Sequence, residues 1–110
     1  MIVDDHARFR AQAAELLTLE RFSVVGDAET GARGVELSRA LTPDLVLLDV
    51  GLPDANGFDL VAAMRATGAA VVLTSSRSSR DYGTRVTDSG ADGFISKAEL
   101  SGEAIRSLLM

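Results

Sequence analysis

No cysteine occurs among the 110 residues, so disulfide frameworks and thiolate metal centres are excluded. Long apolar runs are missing as well. Nothing approaches the roughly 18–20 residues that a membrane-spanning helix needs, and no signal-peptide pattern is present. A surplus of basic charge is also lacking: 11 Lys and Arg stand against 16 Asp and Glu, for a formal net charge of -5. That balance argues against a direct nucleic-acid surface, which is normally basic. It suits cation binding, although acidity alone does not distinguish a cation site from a merely soluble surface. Linkers, internal repeats and low-complexity tracts are absent too, so residues 1–110 are read as one domain. The chain is 46% hydrophobic and 25% charged, as soluble globular proteins are. A fold of this size buries roughly 60–70% of its unfolded surface, enough for a core.

Two hydrophobic periods alternate along this chain. Met1-Ile2-Val3, Ser23-Val24-Val25-Gly26, Leu45-Val46-Leu47-Leu48, Ala70 to Thr74 and Gly93 to Ser96 read as strands. Between them lie helical patterns, from Ala7 to Glu20, Gly31 to Leu41, Phe58 to Ala66 and, more weakly, Asp81 to Ser89. Phe9, Ala13, Leu16 and Leu17 form the stripe of the first, and Val35, Leu37 and Leu41 that of the second, which Thr30 caps. A last helix runs from Gly102 to Leu109 after the capping residue Ser101. Strands separated by single helices predict right-handed crossovers, hence an α/β domain with a parallel sheet between helical layers.

The segment LVLLDVGLP raises a sharper question. An unpaired charge at the tip of a buried strand is costly, yet Asp49 stands there. Ligands of open parallel sheets bind beyond the carboxyl ends of the strands. At those ends stand Asp4 and Asp5 after the first strand, Asp49 after the third, Thr74 on the fourth and Lys97 after the fifth. Converging carboxylates repel unless a cation sits among them, and Mg²⁺ suits a site of few carboxylates completed by water and phosphate. Asp49 is then a carboxylate nucleophile, Lys97 a point charge for phosphoryl oxygens and Thr74 a hydrogen-bond donor to them.

The acidic pair in IVDDH, the acceptor in LLDVGLPDANG, the hydroxyl in VVLTSS and the lysine in GADGFISK together resemble the receiver domains of bacterial two-component response regulators. The resemblance spans essentially the whole chain, and GADGFISKAEL is most similar to receivers of the LuxR type. It implies a doubly wound (βα)5 flavodoxin-like domain with strand order 2-1-3-4-5. It implies that Asp49 accepts a phosphoryl group from a histidine kinase or phosphotransfer protein. Asp5 would bind Mg²⁺ directly, Asp4 largely through water, and the backbone carbonyl of Gly51 would complete the protein ligands. Thr74 and Lys97 would read the phosphoryl group, with Thr74 and Phe94 as switch residues that alter the surface of the fourth helix, fifth strand and fifth helix. Pro53 and Gly57 match the loop after the acceptor. The implied setting is the cytoplasm, with a downstream protein or a separate output domain as partner. The resemblance also admits a phosphorylation-dependent homodimer. It implies no enzyme acting on an external substrate.

Departures from the family pattern carry expectations of their own. No output domain is expected after the last helix, the first strand is short, and Ala98 stands where many receivers have proline after the lysine. Gly51 and Ser76 occupy positions that tune hydrolysis in the family, and neither is a good water-orienting amide or acid, so slow self-dephosphorylation is expected. His6 is read as structural or solvated, Arg77, Arg80 and Arg85 as solvated, and Asp54 and Asp59 as loop and helix-start residues. Phe94 has core packing as its plainer role. A phosphorylation-independent interaction module is the alternative function, and the complete set of Asp4, Asp5, Asp49, Thr74 and Lys97 argues against it. A haloacid-dehalogenase-like hydrolase would need a second acid where Gly51 stands. A flavin-binding relative would need a hydroxyl- and glycine-rich loop where Asp4 and Asp5 stand.

Overall fold

The computed structural model describes residues 1–109. Five strands, β1 (Ile2–Val3), β2 (Asp27–Ala28), β3 (Leu45–Asp49), β4 (Ala70–Ser75) and β5 (Gly93–Ser96), form one parallel sheet in the order β2-β1-β3-β4-β5. Five helices connect and flank them: α1 (Ala7–Leu19), α2 (Gly31–Leu41), α3 (Val61–Arg65), α4 (Arg85–Asp88) and α5 (Gly102–Leu109). Single 3₁₀ turns occupy Gly57–Leu60, Ser79–Tyr82 and Lys97–Glu99. This is the doubly wound flavodoxin-like arrangement that the alternating pattern and the resemblance predict.

Pleat alternation divides the core between two faces. Val3, Val46, Leu48, Val71 and Leu73 pack with Val61 and Met64 of α3 on one side. Ile2, Leu47, Val72 and Ile95 pack with Ala13 and Leu17 of α1 and Ile105 of α5 on the other. Both faces of β3 and β4 are therefore covered, which is why their sequences are continuous apolar runs. Gly34 lets α2 settle onto β1, since a Cβ there would come within 2.9 Å of both Val3 methyl groups.

Polar side chains fix where α2 begins. Thr30 Oγ1 accepts the Arg33 amide at 3.1 Å, and the Asp54 carboxylate accepts the amides of Gly31 and Ala32 at 2.7 and 3.0 Å. These two bonds hold the Asp54 carboxyl below its usual range. Asp54 thus ties the loop after β3 to the start of α2, a firmer role than a loop position. The helix stops at Thr42, in the left-handed region with φ 44°, just ahead of Pro43.

Three elements depart from the sequence reading. The second strand lies at Asp27–Ala28 rather than Ser23–Gly26. Ile2 pairs with Asp27 and Val3 with Ala28, which sets the β1–β2 register there. The Phe58–Ala66 pattern divides into a 3₁₀ turn and the short α3. The Asp81–Ser89 pattern likewise divides, because Gly83 at φ 58° breaks it between a 3₁₀ turn and α4. Leu41, expected inward, is exposed at the end of α2. Among the described residues, no helix is long and apolar enough to cross a membrane.

Candidate functional site

Parallel register gathers the scattered polar residues at one edge. Val3 pairs with Leu48, so Asp4 follows β1 beside the position of Asp49. Asp49 pairs directly with Thr74, and Ser75 pairs with Ser96, which delivers Lys97 immediately beyond β5. Lys97 Nζ lies 2.6 Å from Asp4 Oδ2 and 3.7 Å from Asp49 Oδ1, and its ammonium also stands 4.5 Å from the centre of the Phe9 ring. Asp4, Asp49 and Thr74 are buried, while Lys97 is only 16% exposed. The two carboxylates and the lysine therefore face one another with little intervening water, which strengthens their mutual electrostatics.

Asp49 bears the consequence. Its burial raises the carboxyl pKa to about 6; the Asp4 charge adds to the rise, Lys97 opposes it, Asp5 adds further, and the Gly51 amide opposes it. At neutral pH the group is ionised in a setting that disfavours its charge. Asp4 is held differently. Its Oδ1 accepts the His6 amide at 2.8 Å and faces His6 Nδ1 at 3.0 Å, while its backbone carbonyl accepts Arg10 Nη1–H at 2.8 Å. Its buried Oδ2 faces the Lys97 ammonium at 2.6 Å.

The loop after β3 depends on a glycine. A Cβ on Gly57 would press on the Asp49 carbonyl oxygen and come within 2.9 Å of Val50 Cα, and the Gly57 amide donates to the Val50 carbonyl at 2.8 Å. Gly51 faces open space and bridges to Asn56 across the loop. Only glycine permits so close a backbone approach behind the acidic residue.

Asp4, Asp5, Asp49, Thr74 and Lys97 are thus brought to one rim. Phe94 lies elsewhere. It pairs with Leu73 and shares that residue's side of the sheet, whereas Thr74 pairs with Ile95 on the other. The ring in contact with Phe94 is Tyr82, with centroids 5.8 Å apart, and Tyr82 also meets Phe58 edge-on at 5.3 Å. The Tyr82 hydroxyl lies 2.6 Å from Ser75 Oγ, and Ser75 adjoins Thr74. Sequence reasoning missed this link, for which only the strand's pleat parity holds a signal.

His6 also joins the site. Its Nδ1 lies 3.0 Å from Asp4 Oδ1 and 3.2 Å from Asp5 Oδ1. Asp4, Asp5, His6 and Asp49 each offer a ligand atom, all within 4.8 Å of one another. Three carboxylates so close fit a hard divalent cation. A nucleophilic carboxylate, a cation cluster, a lysine and a buried hydroxyl at one rim are the parts that phosphoryl transfer uses.

The comparisons agree with this geometry. Residues 1–109 match the response regulator receiver domain family. The regulator BvgA of Bordetella pertussis is 34% identical over 108 residues, covering 96% of this chain and 51% of BvgA. The nitrate/nitrite response regulator NarL of Escherichia coli is 35% identical over 101 residues, covering 88% of this chain and 46% of NarL. The chain spans about half the length of these relatives. The signal receiver domain of the response regulator NarL from Mycobacterium tuberculosis superposes with a TM-score of 0.85 at 32% identity, covering 98% of this chain and 90% of that one. Family match, strand order and the shared rim lead to one assignment: the chain belongs to the response regulator receiver domains of two-component systems.

Proposed function

We propose that this receiver is a phosphorylation switch in which Asp49 accepts a phosphoryl group from a phosphohistidine of a histidine kinase or phosphotransfer protein. The observation that carries the reading is the Asp49 carboxylate, buried at the end of β3 beside the lysine that it shares with Asp4 and paired in register with Thr74. An Asp49 oxygen attacks phosphorus; the new O–P bond forms as the N–P bond breaks, and the electron pair stays on the donor imidazole. Hydrolysis reverses the modification when water attacks phosphorus and the aspartyl O–P bond breaks, returning carboxylate and inorganic phosphate. Asp4, Asp5, Asp49 and the Gly51 carbonyl would hold Mg²⁺, which supplies charge neutralisation for the phosphoryl oxygens. Lys97 neutralises those oxygens from the β5 side, and Thr74 donates a hydrogen bond to them.

Two charge-assisted bonds, from Thr74 and Lys97, contribute about 1.5–3 kcal/mol each. Inverting a two-state ratio from 1:99 to 99:1 takes about 5.5 kcal/mol. Together the two contacts supply about 3–6 kcal/mol, which biases the switch substantially and inverts it only at the upper end of that range. Displacement of Thr74 carries Ser75 with it, and the Ser75–Tyr82 bond passes the movement to Tyr82 and Phe94 on the surface of α4, β5 and α5. The switch then acts on a downstream protein, an output domain or a second receiver in the cytoplasm. The domain catalyses only its own modification and its reversal.

Mass measurement after treatment with acetyl phosphate and Mg²⁺ tests the assignment, comparing the wild type with Asp49→Ala. A gain of one phosphoryl group in the wild type alone is expected. No gain in either protein would refute the acceptor assignment and favour a phosphorylation-independent interaction module.

A further inference from the structure

We propose that His6 is an additional protein ligand of the acidic cation site, and that its imidazole biases the site toward first-row transition ions over Mg²⁺. The inference rests on the cation-pocket reading above and extends it to the ion's identity. Its geometric basis is the spacing of donor atoms. An octahedral ion with bonds of ~2.1 Å places neighbouring ligand atoms ~3.0 Å apart. His6 Nδ1 stands 3.0 Å from Asp4 Oδ1 and 3.2 Å from Asp5 Oδ1, so it occupies the position of an adjacent ligand to both acids. Asp49 completes the group, with all four ligand atoms within 4.8 Å.

The placement of His6 has little to do with the helix it precedes. His6 is the N-cap residue of α1, yet its side chain makes no capping hydrogen bond. Its backbone amide instead holds Asp4 Oδ1 at 2.8 Å, fixing the Asp-Asp-His turn against the cluster. The imidazole is 65% exposed and can reach an ion without disturbing the core. Asp4, by contrast, is buried, and its Oδ2 faces the Lys97 ammonium at 2.6 Å, which leaves Oδ1 as the oxygen on the His6 side.

Chemistry supplies the selectivity. Mg²⁺ favours oxygen donors and gives up water reluctantly, whereas imidazole suits transition ions, whose affinities rise from Mn²⁺ onward. One nitrogen among oxygens therefore adds more to Mn²⁺, Co²⁺ or Zn²⁺ binding than to Mg²⁺ binding.

The chain holds a single histidine, which makes the test direct. Mn²⁺ is added to untagged protein and pulsed electron paramagnetic resonance reads nitrogen-14 coupling to the bound ion. The wild type is expected to show imidazole coupling, and His6→Ala to lose it. Mn²⁺ affinity should fall about tenfold in His6→Ala while Mg²⁺ affinity changes less than twofold, the retained Mg²⁺ binding also showing that the variant is folded. Bound Mn²⁺ without imidazole coupling in the wild type would overturn the role of His6 and leave the acidic pocket standing. Equal losses for both ions would overturn the selectivity. A wild type that binds neither ion would bring down the pocket and the inference together.

Discussion

Lys97 stands closer to Asp4 than to Asp49: its ammonium lies 2.6 Å from Asp4 Oδ2 and 3.7 Å from Asp49 Oδ1. In the unmodified domain the lysine is therefore chiefly the counter-charge of the β1 acid and is only partly engaged with the acceptor. A new phosphoryl group on Asp49 would compete for it. Lys97→Ala leaves three clustered carboxylates without that cation. A loss of about 3 kcal/mol in metal-free urea unfolding is expected, as when one partner of a buried pair is removed. Mg²⁺ should restore stability to the variant more than to the wild type. Identical unfolding curves for the two proteins without metal would contradict the pairing.

Asp49 makes stability depend on pH in a definite direction. Its folded pKa of about 6 exceeds the ordinary 3.8, so the folded state holds this proton more tightly than the unfolded chain. Stability from this group is thus lost as pH rises from near 3.8 through about 6. Asp49→Asn removes the ionisation. In metal-free buffer the variant should be more stable than the wild type by roughly 1–3 kcal/mol at pH 7. The gap should narrow as pH falls below about 6 and close near 3.8. A gap that is constant across this range, measured by thermal unfolding, would exclude Asp49 as its source.

Gly57 and Gly51 lie in the same loop but differ in what surrounds them. Gly57→Ala drives a methyl group into the backbone of Asp49 and Val50, whereas Gly51→Ala meets nothing within 4 Å. The first is expected to cost about 2–4 kcal/mol and to slow labelling of Asp49, by analogy with overpacking elsewhere. The second should remain within about 0.5 kcal/mol of the wild type. Comparable unfolding midpoints for the two variants would contradict the loop geometry.

Asp4, Asp49, Thr74 and Lys97 were legible in the sequence because each ends an apolar strand, and parallel register brings strand ends together whatever their separation in the chain. β2 was misplaced because Ser23-Val24-Val25 has strand composition, whereas the register with β1 is set at Asp27 and Ala28. His6 was missed because the spacing of a turn residue does not say where its ring points. Tyr82 was missed because its partner is set by pleat parity, which turns Ser75 toward it and Thr74 away. Strand ends follow from pattern, while side-chain direction in the connecting segments follows from three-dimensional packing.

Thr74 and Tyr82 should separate acceptance of the phosphoryl group from its readout. Thr74→Ala removes a donor to the phosphoryl oxygens but leaves Asp49 and the acids in place. Tyr82→Phe removes only the hydroxyl that meets Ser75 at 2.6 Å. Tyr82→Phe is expected to incorporate label from acetyl phosphate within about threefold of the wild type, and Thr74→Ala more slowly but measurably, since it loses one charge-assisted bond to the phosphoryl group. Hydrogen exchange across residues 76–90 should respond to phosphorylation in the wild type and much less in either variant. An undiminished response in Tyr82→Phe would exclude the Ser75–Tyr82 link as the route.

The lifetime of the phosphorylated state turns on what can orient water beside Asp49. Gly51 carries no side chain, and Ser76, two residues after Thr74, offers only a hydroxyl on an exposed segment. Attack on phosphorus then lacks a positioned amide or acid, and hydrolysis should be slow. Open space at Gly51 allows the deficiency to be repaired, since a Cβ there meets nothing. Gly51→Asn places an amide two residues after the acceptor and is expected to shorten the phosphoryl half-life roughly tenfold, a modest share of what orientation can supply. The decay of radiolabelled protein measures it directly. An unchanged half-life in this variant would mean that water access, rather than water orientation, limits the reaction.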